Sequence, residues 1–310
     1  MFGWLQRGGK TPGWLAVTFD EARLEFAHAR RGRGAGVQVS RYDARDLHES
    51  RYPIERVTRE LKLGRYQCST MLRAGEYDIL LVDAPSVPRA ELKSALRWKV
   101  KGMVDYPLDT ATLDFLTVPS QGAAEGRAAQ VYAVIARDEV LQGRVRKFDD
   151  AGIALAAIDI PDTAQRNIAA LYQTDERGIA LAYFGRNLGL LTISHGGELY
   201  LTRRFELGVE ELAEDTELAE GGAHERVVLE IQRTLDHFER QFRNLAVGRL
   251  LLAPTGRATR LREILAERFE IPVQQIDLTQ ILDFGTAKPS DEMQWRLFHH
   301  FGAALRDNGP

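Results

Sequence analysis

The residue types that could carry chemistry are few and poorly grouped. His195, His224, His237, His299 and His300 are scattered, and none has a partner at the helical or loop spacing of a metal site. His299 and His300 are adjacent, so a helix would point them to different sides. Cys68 is the single cysteine; it sits in a run that reads as a strand, where a free thiol is usually a small buried hydrophobe. No serine stands in a Gly-x-Ser-x-Gly context. Asp149-Asp150 and Asp105 with Asp109 are carboxylate pairs, but helix-end and capping roles explain them without catalysis. Neither a Walker A pattern nor a GxGxxG fingerprint occurs. The nearest glycine-rich turn is Phe184-Gly185-Arg186-Asn187-Leu188-Gly189, between two apolar runs. Such a turn can wrap a phosphate with backbone N–H groups, or it can be a plain hairpin that needs φ > 0. Both readings stay open.

The elements that must position these residues alternate between hairpins and α/β crossovers. Trp14 to Phe19 and Leu24 to Arg30 read as a hairpin around Asp20-Glu21, continued by Val37 to Ser40. Residues 53 to 63 suit a short amphipathic helix. Tyr66 to Leu72 and Tyr77 to Asp83 are expected as strands around Ala74-Gly75, and Ala129 to Ala136 as another, so residues 66 to 135 form a compact mixed unit inside a larger one. Helices follow at 138 to 151 and 163 to 172, with the strand Leu155 to Ile160 between them. Ile179 to Phe184, Leu190 to His195 and Glu198 to Phe205 are strands, the last two joined by the two-residue turn Gly196-Gly197. The acidic stretch 209 to 223 reads as a mobile connection. The helix at 224 to 243 carries the core stripe Val227, Val228, Ile231, Leu235, Phe238 and Phe242. Arg249 to Ala253 is a buried strand, and 291 to 306 the final helix.

Composition narrows the class. The chain has 310 residues, 44% of them hydrophobic, enough for two lobes or domains. A formal net charge of -3 makes no electrostatic case for a nucleic-acid partner. One cysteine excludes an internal disulfide; with no signal peptide, the cytoplasm is the expected compartment. No run of about 18 apolar residues occurs, so a membrane is expected to be reached through partners only. The basic, glycine-rich residues 1 to 13 read as a frayed end or a short surface contact. From the residues alone the chain is a two-lobed α/β protein without a convincing active site.

The stretch Pro88 to Phe115 is more specific. Leu92, Ala95, Leu96, Val100 and Met103 recur at three and four residues and share a helical face. Lys93, Arg97, Lys99 and Lys101 lie off it, and Pro107 bars further helix. Trp98 could be an interface anchor or a structural aromatic. This stretch follows the run Leu72-Arg73-Ala74-Gly75-Glu76-Tyr77-Asp78-Ile79-Leu80-Leu81-Val82-Asp83-Ala84-Pro85. With Ala95 to Pro107, that run resembles the MshI family of mannose-sensitive haemagglutinin (MSHA) pilus biogenesis. The wider relatives are PilM of type IV pili and the cytoplasmic domain of GspL in type II secretion. Tyr106-Pro107-Leu108-Asp109 looks like a shortened form of a PilM turn. Glu225 to Phe242 and Leu250 to Pro254 look like a later helix and strand of the same family.

The resemblance implies an actin-like, FtsA-type fold, α/β with two lobes and an inserted small α/β subdomain. The first lobe is expected at 1–65 and 136–165, with the helix 291–306 packing back on it; the insert at 66–135; the second lobe at 166–290. Three nucleotide loops of that fold look eroded. Thr18 replaces the aspartate of the first phosphate loop and Asp20 its glycine, placing a carboxylate where a phosphate would approach. The second loop's Asp-x-Gly becomes Tyr183-Phe184-Gly185, with Asn187 beyond, and the adenosine-side Gly-Gly becomes Pro254-Thr255 followed by Gly256. The resemblance therefore implies a pseudo-ATPase with no catalytic residue, no metal and no resident cofactor, binding ATP and Mg²⁺ weakly at most. It also implies a scaffold at the cytoplasmic face of the inner membrane. That scaffold would capture the N-terminus of a PilN-like bitopic protein in a groove beside the insert and link it to the pilus assembly ATPase, with self-association as a further option. Arg97, Trp98, Tyr106 and Pro107 are the groove candidates. The alternatives are a nucleotide-dependent switch of the same fold and a platform component of type II secretion.

Overall fold

The computed structural model describes residues 10–19, 23–32, 36–47, 54–120, 128–214, 221–257 and 259–306. Asp20 and most of the basic N-terminal stretch lie outside them.

Strands β1 (Thr11–Phe19), β2 (Arg23–Arg31) and β3 (Val37–Asp46) form an antiparallel meander. The expected first hairpin is therefore present, with a third strand reaching six residues beyond Ser40. Helix α1 (Ile54–Glu60) leads to β4 (Tyr66–Met71), which joins β1 in parallel. Next come β5 (Asp78–Asp83), α2 (Arg89–Lys99), β6 (Ala111–Val118) and β7 (Gln130–Arg137). Helix α3 (Asp138–Asp150) returns the chain to β8 (Leu155–Asp159), parallel to β4. Helix α4 (Pro161–Leu171) crosses to the second meander, β9 (Gly178–Phe184), β10 (Gly189–His195) and β11 (Glu198–Phe205). Then follow α5 (Val209–Glu214), α6 (Ala223–Gln241), β12 (Val247–Leu252), α7 (Leu261–Arg268), β13 (Val273–Gln275), β14 (Leu282–Asp283), α8 (Asp291–Arg296) and α9 (Phe298–Ala304).

Each lobe repeats one topology. The first sheet runs β14-β3-β2-β1-β4-β8 and the second β11-β10-β9-β12-β13, in both cases a meander extended by parallel strands. The inner strands are covered on two faces and so are apolar nearly throughout, as in Leu15-Ala16-Val17 and Leu250-Leu251-Leu252, all fully buried. Helices α4 and α9 lie between the sheets: Ala164, Ile168, Phe298 and Phe301 share one core with Ala16 and Ala27 of the first lobe and Leu181 and Leu251 of the second. The two helices cross very closely, since a Cβ on Gly302 would lie 2.2 Å from the Ala164 carbonyl oxygen.

The insert is a three-stranded sheet, β5-β7-β6, with α2 on one face. Its boundary differs from the expected 66–135: β4 belongs to the six-stranded sheet, and the sheet of the insert begins at Asp78. Tyr66–Met71 and Asp78–Asp83 are thus not partners across the Ala74-Gly75 turn, although Gly75 does take φ +87°. Residues in the expected second-lobe range also return to the first sheet, because β14 pairs with β3.

Other expectations shift for local reasons. α2 stops at Lys99, well before Pro107, and Gly102 turns the chain at φ +81°. Leu96 and Val100 are fully buried, but Met103, placed beyond the helix, is 50% exposed. The stretch 209 to 223 is not simply a connection: α5 occupies its start and buries Val209 and Leu212. The final helix is broken at Leu297 into α8 and α9. The α6 stripe is as expected, with Val227, Ile231, Leu235, Phe238 and Phe242 buried and Val228 partly so. Gly196 and Gly197 both take positive φ in the β10–β11 turn.

Candidate functional site

The parallel strands β1, β4 and β8 of the first lobe and β9 and β12 of the second end where an open α/β protein would receive a ligand. Thr18, Tyr183 to Gly185 and Gly256 sit at such ends, and all three loops touch the α8–α9 segment. Thr18 Oγ1 and His300 Nε2 share a 2.7 Å hydrogen bond. The Trp295 indole N–H donates to the Phe184 carbonyl at 2.7 Å, and the Tyr183 hydroxyl donates to the Trp295 carbonyl at 3.4 Å. Tyr183 stacks on Phe298 with ring centroids 5.5 Å apart and meets His299 at 4.3 Å. A Cβ on Gly256 would lie 2.9 Å from the Trp295 ring. On the first-lobe side Arg296 donates to Glu25 at 2.6 Å and to Asp46 at 3.3 Å.

The space between the loops is therefore filled with aromatic and imidazole side chains. Burial pushes the His300 imidazole below its ordinary pKa, and burial with the neighbouring His300 lowers His299 to about 3. Both rings are neutral at pH 7 and offer no positive charge to a phosphate. Nor is the second loop free to wrap one. The Gly185 N–H donates to the Leu188 carbonyl at 2.8 Å, and the Gly185 carbonyl accepts from Val209 N at 2.8 Å. Gly185 does not take positive φ; among these glycines, Gly189 is needed for space, since a Cβ there would lie 2.8 Å from the Phe205 ring. Asn187 is exposed. Pro254 is buried, and the Thr255 hydroxyl donates to the Arg257 carbonyl at 2.6 Å. Of the degenerate-loop positions, Thr18, Tyr183, Gly185 and Gly256 are brought together around α8–α9, while Asn187 is not. The Asp20 expectation lies outside the described residues.

A second site lies between the first lobe and the insert. A cavity of about 450 Å³ is lined by Asp114, Phe115 and Leu116 of β6, Ile158 to Ile160 at the end of β8, and Arg166 and Asn167 of α4. β6 is the last strand of the three-stranded sheet and β8 the last of the six-stranded one, so two strand edges flank this groove. An unpaired strand edge can accept an extended peptide through main-chain hydrogen bonds. Asp159 and Arg306 pair at one wall, and burial raises the Asp159 carboxyl above the usual range despite the Arg306 charge.

The groove candidates read from the sequence lie elsewhere. On β6, Ala111 and Leu113 face α2, Asp114 and Leu116 line the groove, and Phe115 both packs on the α2-side core and lines the groove. Arg97 donates to the carbonyls of Leu108 and Ala111 at 2.6 and 2.5 Å, tying α2 to the chain entering β6. The Tyr106 hydroxyl donates to Asp78 at 2.6 Å, and the Arg137 guanidinium stands 4.4 Å from its ring. Pro107 is exposed, and Trp98 is 76% exposed on the outer side of α2. None of the four lines the groove.

A third cluster joins the units and was not foreseen. Asp162, in the first turn of α4, is fully buried. Tyr77 at the entry to the insert and Thr202 of β11 each donate a hydroxyl to it at 2.5 Å. Arg204 lies 3.7 Å away, with its guanidinium 4.3 Å from the Tyr77 ring.

The model of the family "Type IV pilus assembly protein PilM" matches residues 48–219, more than half of the chain. The chain belongs to the PilM family. Its matched region contains the insert, the β6 and β8 edges and Asp162. Among solved structures, the "PilM-PilN type IV pilus biogenesis complex" is similar over 94% of this chain and 96% of that one, with 17% identity and a TM-score of 0.68. A Bacteroides thetaiotaomicron protein with an actin-like ATPase fold and unknown function is similar over 96% and 99%, with 9% identity and a TM-score of 0.50. The cytoplasmic domain of EpsL, an inner membrane component of the Vibrio cholerae type II secretion system, is similar over 92% and 93%, with 12% identity and a TM-score of 0.48. No curated protein matches the sequence. The fold of this PilM-family chain is thus actin-like, with a meander extended by parallel strands in each lobe. Among its described residues no helix is long and apolar enough to cross a membrane.

Proposed function

We propose that this PilM-family chain is an assembly scaffold at the cytoplasmic face of the inner membrane, within an MSHA-type pilus system. Its groove between β6 and β8 takes the short N-terminal segment of a PilN-like bitopic protein as an extended strand. The observation that carries this reading is the groove itself: two strand edges, an apolar wall of Phe115, Leu116, Ile158 and Ile160, and acidic and basic groups at its rim. That is a site for a peptide main chain with alternating side chains. Linkage to the pilus assembly ATPase would follow from another face of the same scaffold.

The same reading makes the chain a pseudo-ATPase. Phosphoryl transfer needs donors aimed at phosphates and a carboxylate for Mg²⁺. The loops here spend their polar groups on one another and on α8–α9, and neutral rings occupy the space between them. The nucleotide-dependent switch is therefore the weaker reading.

Two titrations test these statements separately. A synthetic peptide copying the cytoplasmic N-terminus of a PilN-like protein from the same organism should bind with a Kd of tens of micromolar or tighter; no binding by about 100 µM would sink the scaffold reading. Calorimetry with ATP and Mg²⁺ should give no saturable heat, and submicromolar binding would overturn the pseudo-ATPase.

A further inference from the structure

Six large hydrophobic residues are exposed among those described, and three of them, Val87, Trp98 and Met103, flank or sit on α2. Leu96 and Val100 anchor α2 in the core of the insert, each fully buried. At about 100° per residue, Trp98 falls on the opposite side of the helix, which accounts for its 76% exposure. The Lys101 ammonium stands 5.6 Å from the Trp98 ring. Arg89, Lys93 and Lys99 are exposed as well. From Arg89 to Lys101 the sequence holds five basic residues and one acidic, Glu91, in a chain whose formal net charge is -3. Lys93 and Lys99 approach Asp114 and Asp83 at 3.5 and 3.9 Å, pairs exposed enough to yield to a stronger anionic surface.

We propose that the outer face of α2 is a contact for an anionic phospholipid surface, with Trp98 and Met103 entering the headgroup layer and the surrounding lysines pairing with phosphates. The chemistry favours lipid over a protein partner. Trp98 is 76% exposed, so a protein would have to supply most of a pocket for it, whereas a headgroup layer accepts an amphipathic ring as it stands. Lysine stems reach past an apolar contact to place charge among phosphates. The groove is lined by β6, β8 and α4 and by no residue of α2, although Lys93 of α2 pairs with Asp114 at its rim. The proposal adds a direct membrane contact to the indirect one through a partner, and it does not rest on the peptide reading.

Co-sedimentation of the full chain with vesicles tests it without any partner. Vesicles of phosphatidylcholine with about 30 mol% phosphatidylglycerol should pellet the protein at low salt, and pure phosphatidylcholine vesicles should not. Trp98→Ala, and Lys99→Glu with Lys101→Glu, should each weaken partitioning about fivefold or more. Because these side chains are exposed, circular dichroism of the variants should match the parent. Protein remaining in the supernatant with anionic vesicles overturns the proposal. So does binding that Trp98→Ala and the lysine reversals leave unchanged. A Trp98-dependent dimer in sedimentation without vesicle binding would assign the face to a second copy and equally overturn it.

Discussion

The indole N–H of Trp295 donates to the main-chain carbonyl of Phe184 at 2.7 Å while the ring covers Gly256. One side chain from α8 therefore seals both second-lobe loops that an actin-like nucleotide would contact. Its neighbour Arg296 reaches Glu25 and Asp46 of the first lobe, so α8 also fastens the two lobes together.

Trp295→Ala should destabilise the protein by about 3 kcal/mol, through lost packing and an unpaired Phe184 carbonyl. The urea midpoint should fall with little change in slope. The variant should still give no heat with ATP and Mg²⁺, because the Gly185 N–H stays committed to Leu188. Recovered nucleotide binding would mean that Trp295 alone excludes it.

Gly302→Ala should cost about 2 kcal/mol or more, because the new methyl would press on the Ala164 backbone rather than on a movable side chain. Gly143→Ala in α3 meets nothing within 4 Å and should instead stabilise by about 0.5–1 kcal/mol. Thermal melts of the two variants should move in opposite directions.

Asp162→Ala should cost about 3 kcal/mol, because it strands the Tyr77 and Thr202 hydroxyls and the Arg204 charge together. Tyr77→Phe should cost about 1–2 kcal/mol. The double variant should lose less than the sum, and strict additivity in denaturant titrations would show that the insert is not coupled to α4 through this pair.

Acid should weaken the interlobe contact. His299 is held at about 3 and His300 below its ordinary value, both chiefly by burial. The unfolded chain takes up these protons near pH 6.5 while the folded one does not. The neutral-state stability of His299 is thus complete above about pH 6.5 and is lost as pH falls towards 3, with a slope of at most about 1.4 kcal/mol per pH unit, and His300 adds to the loss below its ordinary value. Urea midpoints between pH 7.5 and 5 should show the fall, and His299→Gln should flatten it.

Phe115→Ala should weaken the PilN-type peptide about tenfold by removing apolar lining from the groove. Tyr106→Phe should leave the peptide's affinity unchanged, since its hydroxyl bonds Asp78 away from the groove. Peptide anisotropy titrations of both variants separate the observed groove from the one expected at Arg97, Trp98, Tyr106 and Pro107.

Much of the fold is legible in local pattern. The β1–β2 hairpin, the α6 stripe, the Gly196-Gly197 turn and the buried run Leu250 to Leu252 follow from spacing and turn chemistry, because alternation and 3.6-residue periods report which face of an element is apolar. Assignments failed where partners had to be chosen. Tyr66–Met71 and Asp78–Asp83 look like two strands of one hairpin but pair in different sheets. Periodicity marks Leu96 and Val100 as buried; it does not say that the groove lies at β6 and β8 rather than along their helix.

By itself the sequence determined an α/β protein whose central block resembles the MshI family and, more widely, PilM, the family that its residues 48–219 match. Only the tertiary structure decided what the nucleotide-loop positions touch and where a cavity flanked by two strand edges lies. Thr18 and His300 are 282 residues apart and meet at 2.7 Å; β6 and β8 flank one groove because their sheets end there. Contacts at such separation depend on how layers stack and which strand edges stay unpaired, and neither is encoded in the spacing of residues along one element.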